Sequence, residues 1–530
     1  MARLKFTFTL LVFAVFNLSA FAQPLTSSQI DVLVQKTLTT FNVPGIAVAV
    51  VKDGKVIHSK GYGVRSLNTM QKVDEHTLFG IASNSKAFTT AALGILIDEG
   101  KLKWEDRVTD FIPGFKLYNP YVTQNFTIAD LLTHRSGLGL GAGDLMMWPD
   151  GTSFTKIDII HNLRFLKPVS DFRTKYDYDN LLYIVAGEVV AKVSGMNWED
   201  FIETKIMKPL QMRESAASIS RVKNRNNVID PHAPVNGKLQ VLSINWSETA
   251  NAAGGIYSNI TDMSKWAIMQ MNNGKYGEGL QKQLFSEKVH EEMWTPHTII
   301  PVSGKTTYHT HFASYGLGWF LSDEMGYKVP THTGGLAGIV TQVTLIPELK
   351  LGIIVLTNQQ SGAAFRTITN SIKDGYFGIK DQDRLKEYSE KVKANEQYAK
   401  GITDKIWKEI DEAHQKNNAQ KMADSIYTGI YNDPWLGDVI ISVKNNKLWF
   451  DSKRSQRLTG EMLFYKGNTF IVKWNDRSLD ADAFVSFGLD YDGKGNTIKM
   501  KSISPMTDFS FDFHDLDFTR VGTGGDLHLH

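Results

Sequence analysis

Gly45-Ile46-Ala47-Val48-Ala49-Val50-Val51-Lys52-Asp53-Gly54-Lys55-Val56-Ile57-His58 opens with an unbroken apolar run and turns at Asp53-Gly54. Two strands, over residues 45–51 and 55–64, are predicted to pair here as a hairpin. Glycine accepts positive φ without penalty, so Asp-Gly suits a tight turn. Just before, Ile30, Leu33, Val34, Leu38 and Phe41 keep helical spacing until Pro44-Gly45, and Ser27 or Ser28 offers a cap. Far along the chain, short apolar runs return at residues 318–321, 339–346 and 351–356, separated by Gly or Pro turns. A sheet assembled from both ends of a domain, with helices between, is an α/β sandwich and not a repeating βαβ layout.

At 530 residues the chain is too long for one ordinary core. Its 58 basic and 56 acidic side chains leave a formal charge of +2 without a long single-sign run, so no footprint for nucleic acid or an anionic membrane is expected. The absence of cysteine excludes disulfides, thiol nucleophiles and thiolate metal sites. Arg3 and Lys5, the apolar run 10–16 and Ala20-Phe21-Ala22 read as a signal peptide over residues 1–22, so export to a periplasm or the medium is expected. Asn17, Ser19 and Pro24 interrupt the run before the roughly 20 apolar residues a membrane span needs. No stable span is expected once the signal is cleaved.

The chemistry is expected at Ser83-Asn84-Ser85-Lys86. Serine needs a base within hydrogen-bond reach, and donors facing the oxyanion formed on attack. Residues i and i+3 share a helix face, so the Lys86 amine can approach the Ser83 hydroxyl, and a helix start favours developing negative charge. The helix itself is read from Ala87, Ala91, Leu93, Ile95 and Leu96, ending at Gly100. Alone, a serine three before a lysine means little. Tyr178-Asp179-Asn180 adds a phenol able to carry protons and an amide able to hold a carbonyl, ahead of a helix running from Leu181 to Gly195. Tyr257-Ser258-Asn259 repeats the pattern; Tyr178 is preferred because a clear helix follows it, whereas Tyr257 follows Gly254-Gly255. His332-Thr333-Gly334-Gly335 is expected at the start of a strand, with a backbone N–H toward substrate.

With these residues in order, residues 25–378 resemble the serine β-lactamase and penicillin-binding-protein superfamily, in the branch of class C β-lactamases, D-amino-acid peptidases and related esterases. Residues 127–138 read as a short helix running into a turn at Ser136-Gly137, and the stretch 131–138 within them, together with Gly254-Gly255 and Tyr315-Gly316-Leu317-Gly318-Trp319, supports the resemblance. It implies an antiparallel sheet flanked by helices, with no metal or cofactor. Ser83 would form the acyl-enzyme, Lys86 would assist its deprotonation and Tyr178 would shuttle protons. Asn180 would orient the substrate's acyl-side amide, His332, Thr333 and Gly334 would border the site, and the N–H groups of Ser83 and Gly335 would form the oxyanion hole. Class C enzymes usually carry lysine where His332 stands, and histidine is mostly neutral at pH 7. The expectation is an exported serine hydrolase of small esters or peptides, weak on β-lactams. The alternative is a penicillin-binding or cell-wall-binding protein that acylates at Ser83 with little turnover.

Other readings are weaker. The Gly-x-Ser-x-Gly elbow of α/β-hydrolases is absent around Ser83, and neither His309/His311 nor His528/His530 has helical metal-ligand spacing. Residues 379–425 read as a polar helical connector after a hydrolase domain over 23–378. Residues 426–530 read as a small all-β domain or open barrel, with strands at 427–431, 439–443, 447–450, 469–474 and 483–489 and Trp435, Trp449 and Trp474 in its core. This domain is either a stabilising module or a lid over Ser83. Loops 137–156 and 224–250 are expected to choose the substrate.

Overall fold

Helix α1 (Ser27–Thr40) packs behind a hairpin of β1 (Gly45–Lys52) and β2 (Lys55–Gly63) in a computed structural model that describes residues 23–243, 246–415 and 423–522. The expected leader over residues 1–22 and the His528/His530 pair lie outside those residues. Thr26 caps α1, in place of the serines after it: its hydroxyl accepts from Gln29 N, and the Gln29 side chain accepts from Thr26 N. Helices α2 (Ser85–Asp98), α3 (Leu181–Ser194) and α4 (Ile260–Met271) follow.

The chain then returns to the sheet with β3 (Thr298–Ile300), β4 (Ala313–Tyr315), β5 (Phe320–Glu324), β6 (Tyr327–Leu336), β7 (Ile339–Ile346) and β8 (Leu351–Thr357). Among the described residues these make one eight-stranded antiparallel sheet in the order β2-β1-β8-β7-β6-β5-β4-β3. Chain start and chain return meet at β1 and β8, where Val48 faces Val355.

Strand β1 reads as a continuous apolar run because both its faces are covered. Ile46, Val48 and Val50 pack with Ile30 and Val34 of α1 and with Ile368 and Ile372 of α5 (Gly362–Phe377). Ala47 and Ala49 face a second core that holds Phe88 of α2 and Trp266 of α4. Those two rings stack 3.8 Å apart, which places α2 at the centre, buried along most of its length.

The structure departs from the sequence reading at three local points. Gly318 lies in a turn with φ 81° and not in a strand; a Cβ there would meet Thr90 Oγ1 at 2.9 Å and the α2 backbone at Ala87, so only glycine fits. The His332 motif occupies the second half of β6, which begins at Tyr327. Within residues 127–138 only a single 3₁₀ turn, Ala129–Leu132, forms.

Helix α6 (Arg384–Gln415) leads to β9 (Gly429–Asp433), β10 (Gly437–Lys444), β11 (Lys447–Ser452), β12 (Thr459–Lys466), β13 (Thr469–Trp474), β14 (Ala483–Leu489), β15 (Gly495–Ser502) and β16 (Phe518–Gly522). These close into a barrel through β16 pairing with both β9 and β15, where an open barrel was one expectation. Strands β12, β15 and β16 were not read from the sequence. Trp435 and Trp474 are buried, while Trp449 is only half-buried, with the Lys444 amine 5.2 Å from its ring centre. Leu385, Tyr388 and Val392 of α6 pack on the sheet domain, and Ile406 and Ile410 pack on Ile471 and Ile503 of the barrel domain. The connector is thereby pinned at both ends.

Candidate active site

Ser83 sits in a 3₁₀ turn, Ala82–Asn84, that feeds directly into α2. Ala82 holds φ 50°, a left-handed conformation that a side chain rarely adopts and that surrounding contacts must enforce. Those contacts come from β6 and β7. The Thr341 hydroxyl donates to Ile81 O and accepts from Asn84 Nδ2, at 2.9 Å each, clamping the turn from both sides. A Cβ on Gly334 would fall 2.3 Å from Ile81 O and 2.9 Å from Ala82 Cβ. Glycine at 334 therefore lets the strand touch the turn that presents Ser83.

The Lys86 side chain is completely buried. Its Nζ lies 3.0 Å from Ser83 Oγ, 2.8 Å from Asn180 Oδ1 and 2.9 Å from Ala253 O. Burial brings the amine down to about 7, against the opposing pull of Asp144 and Asp179. Asn180 occupies the N-cap position of α3 but makes no capping bond. Its side chain is spent on the site, accepting from Lys86 and donating through Nδ2 to Asp144 Oδ2 at 2.8 Å. Tyr178, two residues earlier, lines the same cleft as Ser83, and burial holds its phenol well above 10, so it is present as a neutral O–H. The Lys86 amine lies 4.9 Å from its ring centre.

His332 is buried on β6. Its Nδ1–H donates to Thr333 O at 2.6 Å, and its Nε2 accepts from the Tyr315 hydroxyl at 2.8 Å. Burial and the Lys86 charge push its pKa down to about 3, so the ring is neutral and both nitrogens are engaged. Ser83, Tyr178, Asn180, His332, Thr333, Gly334 and Gly335 all open on one cleft of about 1640 Å³. The rival Tyr257 is instead buried beside Gly80, and Asn259 caps α4 by accepting from Asp262 N. His309 and His311 stand exposed away from this site, and among the described residues no group of three or more His, Asp or Glu is arranged to hold a metal.

Several contributors went unread. His134 Nδ1 accepts from Asp179 N, and the Ser136 hydroxyl donates to Asp179 Oδ2, so the 131–138 stretch fixes the Tyr178-Asp179-Asn180 backbone. Asp144 and Ala253 complete the surroundings of Asn180 and Lys86. Loop 137–156, expected only to select substrate, carries Asp144. Its one sequence signal is the pair Gly141 and Gly143, with φ 71° and 77°. The cleft's far wall belongs to α6 and to the barrel domain, including Phe509 and Ser510.

A mixed sheet-and-helix domain that presents a serine on a helix start, with a lysine one turn on and a tyrosine opposite, has the architecture of the serine β-lactamase and penicillin-binding-protein superfamily. The chain belongs to the beta-lactamase family, whose model matches residues 30–374. Residues 414–520 match a second model, a domain of unknown function designated DUF3471. The unguisins hydrolase ungD' of Aspergillus campestris is 29% identical over 342 residues, 62% of this chain and 60% of that protein. The unguisins hydrolase ungD of Aspergillus violaceofuscus is 25% identical over 82% of this chain and 80% of that protein. Protein flp of Staphylococcus aureus is 26% identical over 63% of each chain. The chain thus spans less than two thirds of the first and third of these relatives. An octameric penicillin-binding protein homologue from Pyrococcus abyssi shares the fold, with a TM-score of 0.59 at 21% identity over 93% of this chain and 99% of that one.

Proposed function

We propose that the protein is an exported serine hydrolase that acylates at Ser83 and turns over ester or peptide substrates, with β-lactams poor substrates. The observation that carries this reading is the set of three acceptors around the Lys86 amine. Asn180 Oδ1 and Ala253 O accept only, so when the amine is neutral its two N–H bonds go to them and its lone pair is left for the Ser83 O–H. With a pKa of about 7, roughly half the molecules are in that state at neutral pH, against about one in a few thousand for a free lysine.

In acylation, Ser83 Oγ forms a bond to the substrate carbonyl carbon as its proton passes to Lys86 Nζ. The carbonyl oxygen takes the negative charge, facing the backbone N–H groups of Ser83 and Gly335. Collapse breaks the bond to the leaving group, which takes a proton from the Tyr178 phenol, and Lys86 returns one to Tyr178. Water then attacks the acyl carbon, its proton passing through Tyr178, and Ser83 regains its hydrogen. The disfavour for penicillins follows from His332, neutral and with both nitrogens occupied: it offers no charge to a β-lactam carboxylate. The cleft is large enough for a substrate well beyond a single amino acid.

The test is labelling with a fluorophosphonate probe, followed by burst kinetics on short esters, D-amino-acid peptides and a chromogenic cephalosporin. Many product equivalents per enzyme on an ester or peptide, lost in Ser83→Ala, and kcat/KM rising with pH through about 7 as Lys86 loses its proton, are the expected results. A single equivalent without turnover would make the protein a penicillin-binding or cell-wall-binding acceptor.

A further inference from the structure

We infer that Ser510, contributed by the C-terminal barrel domain, is a positioning residue for the Lys86 base, acting through Asp144 and Asn180. The inference rests on the reading that neutral Lys86 takes the proton of Ser83, and it gives the domain of unknown function a part in the chemistry of the other.

The chain of bonds is unbroken. The Ser510 hydroxyl donates to Asp144 Oδ2 at 2.8 Å, the same oxygen accepts from Asn180 Nδ2 at 2.8 Å, and Asn180 Oδ1 accepts from Lys86 Nζ at 2.8 Å. An amide side chain has two faces of opposite polarity, and only the face with oxygen toward Lys86 leaves the amine's lone pair for Ser83. Asp144 enforces that face by taking the N–H end. Asp144 is itself completely buried; among the described residues its Oδ1 has no hydrogen-bond partner, and Ser510 and Asn180 are the two groups that donate to Oδ2. Ser510 is 7% exposed, so water does not readily replace it.

The same barrel segment also holds the Asp144 backbone. Asp512, fully buried, accepts from Gly143 N at 2.6 Å and from Leu145 N at 3.3 Å, one residue either side of Asp144. A Cβ on Gly141 would meet Phe509 O at 2.7 Å, so this glycine lets the segment come close. Phe509 then stands edge-on to Tyr178 with ring centres 5.9 Å apart.

Loss of the hydroxyl has an electrostatic consequence with a definite sign. Asp144 faces Lys86 from α2, Asp179 from the segment before α3, and Asp508 and Asp512 from the barrel domain. Lys86 faces Asp144 and Asp179, the Tyr178 and Tyr183 rings, and the neutral His134 and His332. The Ser510 bond favours the ionised form of Asp144, and ionised Asp144 favours protonated Lys86. Without the hydroxyl, Asp144 keeps its proton to higher pH and Lys86 loses its proton at lower pH.

The experiment compares Ser510→Thr with Ser510→Val, which share a shape and differ in the hydroxyl, alongside Ser510→Ala. The substrate is a simple acetate ester with no acyl-side amide for Asn180 to bind. Expected is kcat at least tenfold lower in the Val and Ala variants than in the Thr variant, KM within about twofold, and the acid limb of kcat/KM displaced to lower pH. Equal kcat and an unmoved pH limb across Thr, Val and Ala, with wild-type Ser83 still labelled and turning over, overturn the inference alone. A wild-type protein that does not turn over at Ser83 overturns the underlying reading and the inference with it.

Discussion

At position 332 one imidazole stands where the class C relatives usually carry a cation, and its hydrogen bonds show why it cannot imitate one. Its Nδ1–H is committed to Thr333 O and its Nε2 to the Tyr315 hydroxyl, so protonation would put a second hydrogen against a phenol that already donates. Together with burial this keeps the ring neutral throughout the physiological range. A lysine there would restore a positive charge at the sheet edge. His332→Lys is therefore expected to raise kcat/KM for a cephalosporin relative to a short ester by roughly tenfold, about 1.4 kcal/mol of selective binding. An unchanged ratio in a folded variant would show that carboxylate recognition lies elsewhere in the cleft. The identity of this residue was legible in the sequence; its tautomer was not, because Tyr315 reaches it from another strand.

Of the two strands that touch the nucleophile turn, β7 does so through the Thr341 hydroxyl and β6 through a glycine. Strand β6 passes so close to the 82–84 turn that Gly334→Ala would press a methyl group against backbone at Ile81 O, an atom that cannot swing aside. The expected outcome is a loss of about 1–3 kcal/mol in stability, read as a lower urea midpoint, with acylation at Ser83 impaired beyond what the stability loss explains. Elements with local signals were legible in the sequence: the hairpin at Asp53-Gly54, the helices after Ser83 and Tyr178, and the apolar runs of β7 and β8. Elements decided by distant partners were not. β3 is three residues long and exists because β4 pairs with it. β12 carries alternating residues and a Gly460 that fits against the backbone of Lys473 on the neighbouring strand. Around the site, Ser83, Lys86, Tyr178 and Asn180 announced themselves by spacing. Asp144 and Ser510 lie 366 residues apart, and no window of sequence contains both.

Across the whole molecule, buried groups pull stability in opposite directions with pH: raised carboxyls favour acid, whereas the buried neutral rings of His332 and His134, with lowered pKa values, lose stability as pH falls below about 6.5. Burial raises the carboxyls of Asp144 and Asp179 to about 7 and Asp512 well above its ordinary value. A raised folded pKa means stability that is present below about pH 4 and lost as pH climbs through about 7. Lys86 acts in the opposite sense: its lowered pKa means stability regained between about 7 and 10. Asp144→Asn removes one titrating carboxyl, so the drop in unfolding free energy between pH 5 and pH 7, read from urea melts, should shrink by about 2 kcal/mol, the part of the Asp144 shift that falls in that interval. An undiminished drop would assign the pH dependence to other groups. The two domains are also joined by ion pairs from Arg457 to Asp150, in the loop that carries Asp144, and from Arg454 to Asp158, in the short helix that follows it. The grip of Asp512 and Ser510 on that loop has a consequence for the order of synthesis. A growing chain acquires Ser83 and Lys86 early, but the Ser510 hydroxyl follows Asp144 by 366 residues. If Ser510 aims the base as inferred, a chain cut short before residue 510 carries the nucleophile without that support, and catalytic competence waits on synthesis of the barrel domain.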